Sequence, residues 1–278
     1  MKIRQIHVPS TLERAVSPRL LALLGCCILA VFYIFPIAML AIESLAFGSG
    51  DMFQVYKTAL QQIYLTIILN SFLYGAITTV VSLVLAYILS YYIVFISNKQ
   101  KLLLGLVIIP LWVAYVVRYI GFQILFIGPI KTVFGTDFGI LYSTSGVVLG
   151  LTSVLLPFAV LPIYNALNGI DDEHIQASRM LGATSLTTVR TVILPLSMSG
   201  IVAAAIIVFI LASGSFLAAS ILGGPGQTMI ANMISQAFLE LYNIKLASAL
   251  AAIYTTILLA LLLVFNYFVK LEEVFSQL

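Results

Sequence analysis

Residues 175–200 read IQASRMLGATSLTTVRTVILPLSMSG, which is a polar, helix-prone insert between two hydrophobic segments. Asp171 and Asp172 precede it, where acidic side chains can cap a helix and interact favourably with its dipole. Gly182 is suited to ending that helix, and Pro195 to beginning the next apolar segment. The insert is longer than a turn requires. It is therefore either an ordinary loop with a surface helix or a segment that contacts another molecule.

Composition places the rest of the chain in a lipid bilayer. Hydrophobic residues make up 62% of the sequence and charged residues 8%, and the mean hydropathy is +1.15. Soluble domains carry about 25% charged residues, and several apolar runs here exceed the roughly 20 residues that cross a bilayer as a helix. We predict an all-α integral membrane protein with six transmembrane helices. Their expected positions are residues 20–42, 71–96, 102–127, 147–166, 197–222 and 247–269.

The orientation follows from the distribution of lysine and arginine. With both termini on one side of the membrane, that side carries nine of these residues and the other side three. The side richer in positive charge is predicted to be cytoplasmic. Residues 20–270 are then the membrane domain, and its loop 167–196 and the tails 1–19 and 271–278 are cytoplasmic. The net charge of +3 reflects this topology and does not indicate nucleic-acid binding.

The sequence offers little material for chemistry. His7 and His174 are its only histidines, and both are expected to be solvated surface residues. Cys26 and Cys27 are adjacent and lie in the first predicted span, and no Cys/His set has metal-ligand spacing. The glycine-rich run 223–226 lacks the Lys-Ser/Thr of a phosphate-binding loop. We predict no catalytic residue, no metal site and no cofactor on this chain, so any ATP hydrolysis would occur on another polypeptide.

The insert resembles a loop found in the membrane subunits of ATP-binding-cassette importers. That loop reads Glu-Ala-Ala, three residues, Gly, then Ile-x-Leu-Pro, and here Gln176-Ala177-Ser178 is followed by Gly182 and by Ile193-Leu194-Pro195. In the family the loop forms a short cytoplasmic helix that docks into a groove of the ATPase subunit. The resemblance implies the same role here for a helix over residues 172–181, with small side chains at the closest approach.

The resemblance assigns a set of coupling-loop residues: Asp172, Gln176, Ala177, Ser178, Leu181, Gly182, Ala183 and Pro195. Two positions depart from the family pattern. Gln176 replaces the usual glutamate, and Met180 replaces an acidic residue that often precedes Leu-Gly. Glutamine keeps the helix propensity but loses the charge. Docking is therefore expected to survive, whereas a salt bridge from this position to the ATPase is not expected.

Other segments resemble the spermidine/putrescine permeases, a branch of the type I importers. The segments that carry this resemblance are residues 109–112 (IPLW), 117–119 (VRY), 155–164 (LLPFAVLPIY), 222–225 (LGGP) and 229–232 (MIAN). Together they extend the resemblance over residues 64–255. It implies the type I (MetI-like) permease architecture and a polyamine or a related small organic amine as substrate. Opines, amino-acid derivatives and other organic ions are the alternatives within the class.

The same resemblance implies an assembly. The chain would form half of a translocation pathway with a second permease, more often a different chain than a copy of itself. Two ATP-binding subunits would hold the ATP and magnesium, and a periplasmic or extracellular solute-binding protein would deliver the substrate. The expected location is the bacterial inner membrane, with multiple passes and both termini in the cytoplasm.

Several residues within the spans are candidates for the substrate path. Trp112, Tyr115 and Tyr119 recur at the spacing of one helical face, so they form either a packing face or a wall of the path. Ser213 and Ser215 interrupt the fifth span and are either polar contacts for the substrate or sites of close helix packing.

Arg118 is the only charge well inside a predicted span. It is expected to have either a structural role, paired with Asp137 or Glu43, or a role in substrate contact. Pro157 and Pro162 predict a kink in the fourth span.

Two other classes of membrane protein compete with the importer. A secondary transporter would be expected to show broken helices around a midplane site or membrane-buried acids, and neither is evident in the sequence. An integral-membrane enzyme would need clusters of histidine, cysteine or acidic residues, which the sequence lacks.

Overall fold

The computed structural model describes residues 18–45, 52–135 and 138–269, and throughout these ranges the regular structure is helical. Most of the two predicted tails, residues 1–17 and 270–278, lies outside the described residues, and so does Asp137. The first helix begins at Pro18, slightly before the predicted span. The prediction of an all-α protein is confirmed.

The helices of the first half alternate with short π-helical or 3-10 turns. They are α1 (Pro18–Leu29), α2 (Phe35–Ser44), α3 (Met52–Ala59), α4 (Gln62–Tyr91), α5 (Gln100–Ile108), α6 (Tyr115–Leu125) and α7 (Lys131–Phe134). Those of the second half are α8 (Thr144–Asn168), α9 (Asp172–Met180), α10 (Ser185–Thr188), α11 (Leu194–Leu196), α12 (Met198–Ser213), α13 (Leu217–Leu222), α14 (Ile230–Leu239) and α15 (Ile244–Val269).

Among the described residues, five continuous helical stretches are long and apolar enough to cross a bilayer. They are Leu23–Ser44, Gln62–Ile96, Tyr115–Phe134, Thr144–Asn168 and Ile244–Val264. A sixth arises when Ser185–Leu196 and Met198–Ser213, which meet at an angle of 63°, are counted as one broken span. The prediction of six spans is confirmed in this form.

Helices α4, α8 and α12 pack against one another and form the centre of the membrane domain. Small residues allow close approach. A Cβ atom added to Gly75 of α4 would lie 3.0 Å from the Cβ atom of Ser213 in α12. Helix α8 is continuous through Pro157 and Pro162. The prolines are accommodated within this buried helix, as occurs where neighbouring helices surround the freed carbonyls.

The third span is not the single helix predicted over residues 102–127. Pro110 lies in a 3-10 turn, Ile109–Trp112, and the chain is extended at Val113 and Ala114 before α6 begins. Proline lacks the N–H that a regular helix needs at this position. The hydrophobicity of the segment continues across the break, so hydropathy alone did not reveal it.

The fifth span is also interrupted. Pro195 does not begin the membrane helix as predicted, because it lies in α11, before the 63° bend. Helix α12 then ends at Ser213, and α13 is separated from it by residues 214–216. The predicted single span over residues 197–222 is therefore two helices.

The opposite end of the membrane domain contains two helices that do not span. Helix α3 lies just before α4, and α14 lies just before α15. The backbone N–H of Ile230, at the start of α14, donates a hydrogen bond of 2.8 Å to the buried Ser71 hydroxyl in α4. This bond fixes the outer loop to the central helices.

Candidate functional site

The loop 167–196, which is predicted to be cytoplasmic, contains α9 as its first helix, and α9 agrees with the predicted helix over residues 172–181 to within one residue. Asp171 occupies the N-cap position, but its side chain makes no capping hydrogen bond. Asp172 and Glu173 lie in the first turn, where negative charge interacts favourably with the helix dipole.

Gly182 ends α9 with a left-handed backbone, at φ = +83°. The N–H of Gly182 donates to the carbonyl of Arg179, and the N–H of Ala183 donates to the carbonyl of Ser178. This pair of bonds is a Schellman motif, in which glycine is favoured because it has no Cβ atom. The predicted helix break at Gly182 is confirmed.

A buried hydrogen bond holds the two arms of the loop together. The hydroxyls of Ser178 in α9 and Thr188 in α10 lie 3.0 Å apart, and both side chains are buried. The expectation that Ser178 is a point of closest approach for a partner is therefore wrong. Its side chain points into the loop, whereas Gln176 and Ala177 are exposed.

The tip of the loop presents apolar side chains to its surroundings. Met180 and Leu181 are each 89% exposed, and Leu186 is 77% exposed. Leu181 was among the predicted coupling residues, and the sequence interpretation missed the other two. Met180 and Leu186 could have been identified as apolar residues in an otherwise polar loop. Such residues gain no stability from exposure to water, so their presence there indicates a contact with another molecule.

A cavity of about 450 Å³ lies where α6, α8 and α12 meet the start of α13. Its lining residues are Tyr115, Tyr119, Leu151, Val154, Leu155, Leu211, Ser215, Phe216 and Leu217. The structure thus brings together three of the five candidate path residues, Tyr115, Tyr119 and Ser215. The side chains of Tyr119 and Ser215 also interact with each other. The cavity offers aromatic rings and hydroxyls and no charged lining residue.

Trp112 is not on the same helical face as Tyr115 and Tyr119. It belongs to the 3-10 turn before the break at Val113 and Ala114, and its side chain is 88% exposed. The predicted face assumed an unbroken helix, so Trp112 does not share a face with Tyr115 and Tyr119 and does not line this cavity.

Ser213 does not contact the cavity either. It is fully buried, its hydroxyl lies 3.1 Å from the Tyr254 hydroxyl in α15, and it packs against Gly75. Close helix packing, the alternative considered from the sequence, therefore accounts for Ser213. Ser215 lies beyond the end of α12, and the irregular backbone turns it toward the cavity.

Arg118 lies behind the cavity rather than on its wall. Its Nη1 atom donates to the carbonyl oxygen of Val154 at 3.5 Å, and its guanidinium lies 5.5 Å from the centroid of the Tyr115 ring. The Nε and Nη2 atoms are buried and have no hydrogen-bond partner. Asp137 is outside the described residues, and Glu43 shows no bond to Arg118, so the expected ion pair is not observed within residues 18–45, 52–135 and 138–269.

Across the described residues, no group of three or more His, Cys, Asp or Glu side chains could hold a metal ion. Cys26 and Cys27 are exposed free thiols within the first span. The part of the chain that the structure describes therefore presents two candidate functional regions, the cytoplasmic loop and the aromatic cavity.

Comparison with known proteins agrees with these features. A family model described as the binding-protein-dependent transport system inner membrane component matches residues 97–273. The chain is 31% identical over 223 residues to the spermidine/putrescine transport system permease protein PotB of Escherichia coli K12, covering 76% of this chain and 80% of that protein. It is 32% identical over 247 residues to PotB of Haemophilus influenzae Rd, covering 85% and 80%.

Two solved structures share the fold. One is a bacterial ABC transporter involved in the import of the acidic polysaccharide alginate, with a TM-score of 0.76, 15% identity, and coverage of 89% of this chain and 93% of that one. The other is the MetNI methionine ABC transporter in an inward-facing conformation, with a TM-score of 0.60, 18% identity, and coverage of 80% and 98%. At these identities the likeness concerns the fold alone.

Proposed function

The chain belongs to the family of binding-protein-dependent transport system inner membrane components, and we propose that the importer it serves carries a polyamine or a related small organic amine. As a member of this family it is a multi-pass permease subunit of an ATP-driven importer. It is not itself the ATPase, because hydrolysis belongs to a separate subunit of such importers.

The proposal for energy coupling is based on the structure of the cytoplasmic loop. Ser178 and Thr188 lock α9 to α10, and Met180, Leu181 and Leu186 project from the resulting unit. We propose that these apolar side chains enter a groove of an ATP-binding subunit, with Asp172, Gln176, Ala177, Gly182 and Ala183 around them. Burying an exposed apolar side chain stabilises a contact by about 1.5–3 kcal/mol. A rigid loop can then transmit the movement of the ATPase to the membrane helices.

The proposal for the substrate is based on the aromatic cavity lined by Tyr115, Tyr119 and Ser215. Tyrosine faces attract ammonium groups through cation–π interactions, and the Tyr119 and Ser215 hydroxyls can accept hydrogen bonds from an amine. The relatives named for spermidine and putrescine transport support the same substrate class. Because no carboxylate is among its lining residues, the cavity would bind an amine weakly. Weak binding allows the amine to dissociate and continue along the translocation path.

One observation favours a second candidate substrate. Arg118 lies behind Tyr115 and has two unpaired donors, Nε and Nη2. These two atoms form the side of a guanidinium that binds a carboxylate with two hydrogen bonds. An amine that also carries a carboxylate, such as an opine or another amino-acid derivative, would satisfy both Arg118 and the aromatic rings.

The proposed assembly contains two ATP-binding subunits with their ATP and magnesium, a second permease that differs from this chain, and an extracytoplasmic binding protein. The distribution of lysine and arginine supports an orientation with the termini and the loop 167–196 in the cytoplasm.

The substrate proposal is tested by uptake. The complex, purified with its ATPase and its binding protein, is reconstituted in vesicles and supplied with radiolabelled spermidine, putrescine or an opine. We expect ATP-dependent accumulation of a polyamine. Accumulation of the opine alone would favour the second candidate, and ATP-dependent import of neither class would refute both.

A further inference from the structure

A second and larger groove runs between α4 and α8, with a volume of about 750 Å³. Its α4 side is apolar and consists of Ile77, Val81 and Leu85. Its α8 side alternates apolar and hydroxyl-bearing residues: Thr144, Ser145, Val148, Leu149, Thr152, Ser153 and Leu156. The hydroxyls form two pairs on one face of α8, at positions 144–145 and 152–153, with Val148 and Leu149 between them.

Three buried serine and threonine hydroxyls of α4 and α8 have no hydrogen-bond partner. They belong to Thr78 and Ser82 of α4 and to Thr152 of α8, and none of these side chains is more than 7% exposed. Nearby hydroxyls of α4 behave differently, because Ser71 and Thr79 donate to the carbonyls four residues earlier. Buried polar groups without partners are uncommon, so these three call for an explanation.

The register of the two helices places the unpartnered hydroxyls at similar levels along their axes, although Thr78 and Ser82 are not among the groove-lining residues. Ser90 of α4 donates to the carbonyl of Val160 in α8 at 3.3 Å. The two helices run in the same direction. Ser82 and Thr152 each lie eight residues before these positions, so they are at the same level, and Thr78 is one turn further along α4. Thr152 also lines the groove.

Another groove, on a different side of α4, provides a contrast. It lies between α4, α12 and α15 and has a volume of about 310 Å³. Its lining is apolar except for Thr79, whose hydroxyl is bonded to the carbonyl of Gly75. This is the arrangement that a lipid-facing crevice requires, because lipid tails cannot satisfy a free hydroxyl. The α4–α8 groove differs, because the Thr152 hydroxyl in its lining has no hydrogen-bond partner.

We propose that the α4–α8 groove is a weak binding site for the primary ammonium groups of the imported amine and forms part of the translocation path. The proposal rests on the proposed function. Hydroxyl oxygens accept hydrogen bonds from an ammonium group and impose no strong charge. No groove-lining residue is charged, so an amine can leave as readily as it enters. The apolar α4 side accommodates the methylene chain between two ammonium groups.

The first experiment measures access to the groove. In the reconstituted complex with Cys26→Ala and Cys27→Ala, Ser153→Cys is compared with Val80→Cys, which lines the apolar groove. The probe is 2-aminoethyl methanethiosulfonate, which carries a primary ammonium group. We expect Ser153→Cys to react at least tenfold faster, and saturating spermidine to slow that reaction. Equal reactivity of the two cysteines, or a reaction that spermidine does not slow, would overturn the proposal.

Spermidine uptake, measured in the same vesicles, distinguishes a failure of the proposed substrate from a failure of the proposed binding groove. Absence of uptake would refute the proposed substrate and, with it, this inference. Uptake without protection of Ser153→Cys would refute the groove alone.

A second variant tests the unpartnered hydroxyl directly. Thr152→Val keeps the shape of the side chain and removes a buried polar group that has no partner, so the melting temperature should rise or stay unchanged. Loss of one hydrogen bond to the amine should raise the KM for uptake about fivefold, and Thr152→Ser should restore it. A KM that does not change in Thr152→Val would contradict a role in amine binding.

Discussion

The Ser178 and Thr188 hydroxyls lie 3.0 Å apart inside the loop 167–196, ten positions apart in sequence and on opposite sides of the left-handed turn at Gly182. This contact makes α9 and α10 a single folded unit. The exposed side chains of Met180, Leu181 and Leu186 are then held in fixed positions rather than on a loose connection. Such a unit can act as a docking element.

Breaking this hydrogen bond should loosen the loop. In Ser178→Ala the Thr188 hydroxyl stays buried without a partner, which costs about 1–3 kcal/mol. We expect faster hydrogen exchange of the backbone amides of α9 and α10. Ser178→Ala combined with Thr188→Val should recover much of the protection, because both polar groups are then removed. Thr191→Ala, an exposed position in the same loop, is the control. Unchanged exchange in Ser178→Ala would contradict a structural role for the bond.

Arg118 is expected to act on assembly rather than on transport. Its guanidinium joins α6 to the α8 backbone at Val154 and lies over the Tyr115 ring. Arg118→Gln should therefore reduce the yield of assembled complex at least twofold while leaving the uptake rate per complex nearly unchanged. Arg118→Lys keeps the charge but loses the planar stacking, and it should be intermediate. Normal assembly with abolished uptake would instead make Arg118 a substrate contact and favour the carboxylate-bearing amine.

Tyr115 should have the opposite behaviour. Its ring lines the aromatic cavity and is 47% exposed. If the ring attracts an ammonium group, Tyr115→Ala should raise the KM for amine uptake about 2- to 30-fold, the range expected for a cation–π interaction of 0.5–2 kcal/mol. Tyr115→Phe retains the aromatic face and should remain within about twofold of the unaltered protein. An equal loss in both variants would show that the face of the ring is not what matters.

The composition of the complex provides a fourth prediction. The mass of the solubilised complex, measured without denaturation, should correspond to one copy of this 30.2 kDa chain, one different permease and two ATP-binding subunits. The physical reason is that one chain with up to six spans supplies only half of a pathway. Two copies of this chain with no second permease would refute the heterodimer.

Sequence patterns captured the features that depend on composition and local backbone preference. Long apolar runs located the spans, and the position of Gly182 located the end of α9, because glycine is favoured in a left-handed turn. The same kind of pattern failed within the spans. Hydropathy does not change at Val113 and Ala114, so that break was invisible. Trp112 was consequently assigned to a helical face that does not exist. In the fifth span the polar Ser213 and Ser215 marked an interruption but did not show that the helix ends there.

The remaining errors, at Ser213 and Ser178, arose because their roles depend on tertiary contacts. Ser213 and Ser215 differ by two positions in sequence, yet Ser213 bonds to Tyr254 while Ser215 lines the cavity. Periodicity cannot separate them, because the helix ends between them. Ser178 likewise has the small side chain of a docking surface, and only the position of Thr188 shows that it faces inward. The unpartnered hydroxyl of Thr152 in the α4–α8 groove likewise depends on how the helices pack, which no local pattern reports.

Coupling of an ATPase to this permease through the loop around Gly182 is tested by measuring ATP hydrolysis and amine uptake together in the reconstituted complex. Gly182→Ala is the matched control, since it carries the same backbone strain, about 1–2 kcal/mol, without bulk, and no atom lies within 4 Å of the added Cβ in this chain. We predict that Gly182→Ala retains coupled uptake, whereas Gly182→Arg, excluded sterically from the ATPase groove, hydrolyses ATP without transport or loses the ATPase on purification. Normal ATP-driven uptake by a well-folded Gly182→Arg complex would contradict the account.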